Sequence, residues 1–134
     1  MKREAACGGN EARTRARIAR TYLELAGVAS ASQGDEVRNA AAGNAVLAAI
    51  AASDSLCCLR LGRRSRGTDH ATATTLLAKI TPGGRALARD LTAALAIKDA
   101  AHYGATFLTE AKLRAAMRAA TRLVEAAEGA QFAA

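Results

Sequence analysis

The chain has 134 residues, a length that suits one domain with one core. Hydrophobic residues make up 51% of it, yet aromatics make up only 3%, tryptophan is absent and alanine occurs 37 times, which argues against a sheet protein and for closely packed helices. The net charge of +7 favours acidic partners, nucleic acid above all, without saying which.

In chain order, residues 1–9 read as a flexible tail ending in Gly8-Gly9, and residues 10–134 as a single helical-bundle domain. Asn10 is a candidate N-cap. Ile18, Tyr22, Leu25 and Ala29 then recur at helical spacing and predict an inward stripe on a helix over 11–30. "SASQGDE" breaks it, with Gly34 and Asp35 supplying turn and cap chemistry. A long second helix is predicted from Glu36 to about Arg63, with Val37, Ala40, Leu47, Ile50, Cys57 and Leu61 as its stripe. Thr68 or Asp69 is placed to cap a third helix carrying His70, Ala73, Leu77 and Ile80 on one face. "TPGG" predicts a fourth helix capped by Thr81, with Leu87, Leu91, Ala94 and Leu95 inward, running to about Tyr103. Gly104 ends it. Thr109 caps a fifth helix with Leu113, Met117, Ala120, Val124 and Ala127 inward.

The expected fold is therefore all-α, a five-helix antiparallel bundle. Alanine-rich faces also accommodate a second copy, so a homodimer is expected. No stretch approaches the roughly 20 apolar residues of a membrane span, and "MKREAACGGNEARTR" lacks an apolar leader core. The expectation is a cytoplasmic protein with no membrane partner. Three cysteines, Cys57 and Cys58 adjacent, do not read as a secreted disulfide framework.

Candidate functional residues lie where polar side chains interrupt apolar periodicity. Asp54 falls seven residues after Leu47 and seven before Leu61, on the helix-two stripe. A carboxylate there needs a partner or it protonates. Lys98 and His102 form an i,i+4 pair on the helix-four face, followed by Tyr103. His70 sits in the first turn of helix three. Each has a plain structural reading: a buried ion pair for Asp54, a snorkelling lysine, a histidine at a helix end. In "LRLGRRSRGTDH", Arg60, Arg63, Arg64 and Arg66 place four guanidinium groups beside a predicted helix N-terminus and Thr68. Such a setting attracts phosphate, although a solvated loop would look the same. No Walker loop, GxGxxG, GxSxG or CxxC occurs, so neither a cofactor nor a metal is expected.

The order "AAIAASDSLCCLRLGRRSRGTDHATATTLL", "LAIKDAAHYG", "AKLRAAMRAATRLVEAA" resembles the HEPN superfamily of small helical bundles, over roughly residues 12–128. The resemblance implies an up-down four-helix core with a short extra helix, a dimer, and a place among toxin–antitoxin or defence proteins. A nucleotidyltransferase-type partner is implied as well. Active members are metal-independent ribonucleases with four to six residues between an arginine and a histidine, two copies of the motif facing each other across a dimer. Arg64 and His70 have five residues between them, but early in the bundle; the later His102-Tyr103 has Lys98 upstream, with three between. Three readings follow. One is a nucleic-acid- or nucleotide-binding protein using Arg60, Arg63, Arg64, Arg66 and Thr68. Another is a ribonuclease with His70, His102 and Lys98 catalytic and Asp54 and Tyr103 supporting them. The third is a regulatory partner subunit that binds no nucleic acid.

Overall fold

The computed structural model describes residues 3–67, 70–104 and 106–133, Tyr103 by its backbone alone. Among these, the chain runs β1 (Glu4–Ala6), α1 (Gly9–Ser30), α2 (Asp35–Leu61), β2 (Arg63–Ser65), α3 (His70–Ala78), α4 (Gly84–Leu95), α5 (Lys98–Tyr103) and α6 (Glu110–Ala133). It is an all-α bundle with one small two-stranded ladder. The five expected helices are present, the fourth interrupted. At Ile97 (φ −103°, ψ 0°) the backbone leaves helical geometry, and its N–H reaches back only to the Ala94 carbonyl. The last turn and a half becomes α5.

α2 is the axle of the bundle and touches every other helix. Alanine dominates its buried surface, with Ala41, Ala42, Ala45, Ala48, Ala49, Ala51 and Ala52 all buried. Small side chains let neighbouring backbones approach closely, so dispersion contacts accumulate without large rings. Because α2 is surrounded, its expected stripe is not its deepest face: Leu47, Ile50 and Leu61 are only half-buried, and Ala40 is exposed. By length and composition α2 would also pass as a membrane span, contrary to expectation, with mean hydropathy 1.5 over an 18-residue window. In the bundle 78% of that window is buried, so core packing accounts for its apolarity.

The stripe expected on α1 is also corrected. Ala12, Ala16, Ala19, Leu23 and Ala26 face the core, while Ile18 and Leu25 remain exposed. The alanines fit the tight α1–α2 seam, and the larger residues are left at its margin. Asn10 is not the N-cap. α1 starts at Gly9 with Gly8 before it, and the Asn10 side chain accepts from Arg13 Nη1 at 3.1 Å. Nor does Thr81 cap α4, which begins at Gly84 after Gly83 in the left-handed region (φ 89°). Thr109 does cap α6, its Oγ1 accepting from the Lys112 N–H at 3.2 Å. Large buried side chains (Leu76, Leu77, Leu91, Leu123, Val124) fill the space between α3, α4 and α6.

The segment expected to be a loose tail is tied down. β1 pairs antiparallel with β2, with Glu4 opposite Ser65, Ala5 opposite Arg64 and Ala6 opposite Arg63. The Cys7 N–H donates to the Gly62 carbonyl at 3.0 Å, and the Arg66 N–H to the Arg3 carbonyl at 2.9 Å. A Cys7–Cys58 disulfide closes the ladder onto the last turn of α2, where no disulfide was expected. Gly62, left-handed at φ 72°, ends α2 and turns the chain into β2. A side chain there would be strained.

Candidate functional site

The basic loop is held in place by three acids. Arg64 donates from Nε to Glu11 Oε2 and from Nη1 to the Ser65 carbonyl, the latter at 3.0 Å. Arg63 Nε lies 3.0 Å from Glu4 Oε1, an ion pair without the alignment of a hydrogen bond. Arg15 bridges Glu11 and Asp54, 4.0 Å from each. Asp54 lies at the bottom of this cluster and is only 9% exposed, more deeply buried than Leu47 and Leu61 on the same expected stripe. Burial pushes its pKa up to about 6; Arg15 and then Arg64 pull it back, and Glu11 adds to the rise. Next to it, burial and the Asp54 charge push the Cys57 thiol up to about 12. Cys57 is thus an inert core residue.

Two of the loop cations stand clear of this lattice. Arg60, in the last turn of α2, and Arg66, just after β2, are exposed. Arg60 is also favoured there by the negative end of the helix dipole. Among the described residues around the hairpin, six arginines (Arg3, Arg15, Arg60, Arg63, Arg64, Arg66) outnumber three carboxylates (Glu4, Glu11, Asp54). Thr68, expected to join the phosphate contacts, and Asp69, the alternative cap, lie outside the described residues.

The second group of expected residues is elsewhere. α5 lays the exposed His102 ring on Gly43 of α2. A Cβ at position 43 would stand 3.0 Å from His102 Cε1 and 3.4 Å from Nε2, so the bare glycine backbone is what makes room for the imidazole. Lys98, one turn earlier on α5, is half-buried. Gly43 and Asp54 are eleven residues apart on α2, about 16 Å along the axis. His102 therefore sits about three turns from Asp54. The charges that bear on Asp54 are those of Arg15, Arg64 and Glu11. His70 is the first residue of α3, half-buried, and its carbonyl accepts from Thr74 Oγ1 at 2.9 Å. Tyr103 ends α5, its side chain outside the described set.

No family model, curated protein or solved structure matches the chain. The site therefore rests on its own geometry. That geometry includes four residues that sequence reasoning did not single out, Glu4, Cys7, Glu11 and Arg15, all in or shortly after the supposed tail. The pairing of β1 with β2 and the packing of α1 against α2 bring them to Arg63, Arg64, Cys58 and Asp54. No local spacing signals such a contact.

Proposed function

We propose that this chain is a HEPN-like bundle that binds nucleic acid or a nucleotide at its hairpin end. The observation that carries the reading is the surplus of arginine there, with Arg60 and Arg66 exposed beside Arg63 and Arg64 that are fixed by Glu4 and Glu11. Fixed guanidinium forks give phosphate a preorganised neighbour, and exposed ones supply the contacts that release counterions. The test is anisotropy of a labelled RNA oligonucleotide over a salt series. The Arg60→Ala/Arg66→Ala double variant should bind at least about tenfold more weakly, with a salt slope reduced by about 1.4. Undiminished affinity would sink the proposal. Replacing Arg63 or Arg64 is a poorer test, since either change leaves an acid without its partner.

The working form is proposed to be a homodimer. Thr14, Arg17, Ile18, Thr21 and Tyr22 line a shallow face of α1 with one charged member, and exposed Leu25 and Val28 extend the apolar surface toward the helix end. A face of that kind suits a second copy. Sedimentation of Ile18→Asp/Leu25→Asp as a monomer, against a dimeric parent, is the expected result.

A metal-independent ribonuclease is the second reading, favoured by the exposed His102 imidazole held on Gly43 with Lys98 one turn before it. An exposed histidine can exchange protons with a bound ribose hydroxyl or leaving oxygen. RNA cleavage in the presence of chelator should then vanish in His102→Ala. Cleavage that persists there and in His70→Ala would belong to another protein.

A further inference from the structure

Where α1 begins and α2 ends, three potential ligand groups converge. The Cys7 and Cys58 sulfurs and a Glu11 carboxylate oxygen all lie within 4.8 Å of one another. Each sits on a fixed piece of backbone. Cys7 is held by its N–H bond to Gly62, Cys58 stands in the last turn of α2, and Glu11 in the first turn of α1. The two cysteine Cα atoms are 5.2 Å apart. From that distance side-chain rotation can seat the sulfurs about 3.8 Å apart, the edge of a tetrahedral site with zinc–sulfur bonds of about 2.3 Å.

We propose that, once the Cys7–Cys58 bond is reduced, Cys7, Cys58 and Glu11 form a binding site for one zinc ion, with water in the fourth position. The surroundings suit the charge this would gather. Two thiolates and a carboxylate bring three negative charges, and zinc neutralises two. Arg64 and Arg15 flank Glu11. Arg64 grips Oε2 of Glu11 and leaves Oε1 for the metal, the outer-shell arrangement that orients a carboxylate ligand. Arginines and the N-terminus of α1 also favour thiolate over thiol. Cys7 is half-buried, which gives reductant and ion a way in, whereas Cys57 is buried among the core helices. Zinc with three protein ligands and one open position is the pattern of a reactive rather than a closed structural site.

The two states interconvert by balanced chemistry. A dithiol reductant delivers two electrons to the disulfide and becomes a disulfide itself, leaving two protein thiols. Zinc binding then releases their protons to solvent. Hydrogen peroxide reverses this: the two thiolates give up two electrons, the sulfurs rejoin, two protons and the peroxide become two waters, and zinc leaves. The hairpin would thus be clamped by a covalent bond in one state and by a metal in the other. This inference does not depend on nucleic-acid binding.

The experiment uses the full chain, reduced with a dithiol, desalted anaerobically, and titrated with zinc and, separately, cobalt(II). Wild type should bind one equivalent of zinc, and the cobalt form should show thiolate-to-metal charge-transfer absorption. The oxidised chain should bind none. Cys7→Ser should weaken binding at least a hundredfold, and Glu11→Gln, which keeps its shape and an acceptor for Arg64, about tenfold. Arg64→Ala should cost about tenfold through orientation alone. Cys57→Ser should match wild type. Far-UV circular dichroism accompanies each titration; if the reduced chain loses helix, zinc should restore it. A reduced wild type that takes up no zinc, folded or not, overturns the proposal. So does a Cys7→Ser variant that binds as tightly as wild type.

Discussion

The two polar regions use similar residues in opposite ways. At the C-terminal end of α2, charged groups far apart in sequence neutralise one another: Arg63 with Glu4, Arg64 with Glu11, Arg15 between Glu11 and Asp54. Toward the start of α2, a six-residue helix presents His102 to solvent over a glycine. The first region is a lattice in which moving one member disturbs the rest. The second is a platform in which a ring rests on bare backbone. A count of arginines in the sequence overstates what the first region offers a ligand, because Arg63 and Arg64 already have partners. Arg60 and Arg66 are its outward groups.

Breaking the covalent tie should separate the regions most sharply. The disulfide spans 51 residues, and cross-linking a loop of that length restricts the unfolded chain by about 4 kcal/mol in the entropic picture. Cys7→Ser in oxidising buffer is expected to lower the unfolding free energy by about 2–4 kcal/mol, read from urea melts. Hydrogen-exchange protection should fall first at β1 and β2, with α5 unaffected. If α5 loses protection equally, the two regions are one cooperative unit.

How far this architecture is legible in the sequence depends on range. The helices are legible because alanine favours helix everywhere and Gly34, Gly62, Gly104 and Thr109 punctuate it locally. The buried face of α6 follows from its period, as Leu113, Ala120, Val124 and Ala127 are buried and Met117 is half-buried. That rule fails on α1, where alanines rather than Ile18 and Leu25 face the core, because close approach rewards small side chains over large ones. It fails on α2 too, where the expected stripe through Ala40, Leu47 and Ile50 is less buried than the alanines packed against the other helices. Asp54 is singled out by its position on a heptad, but its burial does not follow from that stripe, since its heptad neighbours Leu47 and Leu61 are only half-buried. Its partners are not legible, since Arg15, Glu11 and Arg64 are placed by packing between elements. The strand pairing of residues 4–6 is the least legible: three residues of ladder carry no periodic signal, and Cys7 gains meaning only when Cys58 stands beside it.

Asp54 sharpens the comparison through pH. Its pKa of about 6 in the folded chain exceeds the ordinary carboxylate value near 4. The folded state therefore holds the proton that the unfolded state has lost across roughly pH 4 to 6. Asp54's contribution to stability is fully present below that window and is lost as pH rises through it. The loss amounts to about 2–3 kcal/mol. Asp54→Asn cannot titrate, so its stability should fall less than wild type's between pH 4 and pH 7. At pH 7 it should be at least as stable. A wild-type profile that instead rises over this interval, while Asp54→Asn stays flat, would mean that Arg15 and Arg64 hold the carboxylate charged. The same comparison made with His102→Gln should leave the pH 4 to 6 slope unchanged, since the imidazole is about three turns away.

The smallest expected effect on stability is the most informative about the platform. Gly43→Ala removes a glycine from a helix interior, which by propensity alone is worth up to about 1 kcal/mol in the helix's favour. The added methyl meets His102 Cε1 at 3.0 Å, so the ring must shift by a few tenths of an ångström or swing off α2. The two effects oppose each other, and the net change in a urea melt should stay within about 1 kcal/mol. His102 itself should respond clearly. Its imidazole resonances should move, while the resonances of Arg15, Arg64 and β2 remain in place. A methyl that leaves the His102 resonances untouched would show that the ring is not seated on Gly43 in solution. A methyl that moves β2 as well would show that α2 transmits the disturbance along its length, and the lattice and the platform would then have to be treated as a single site.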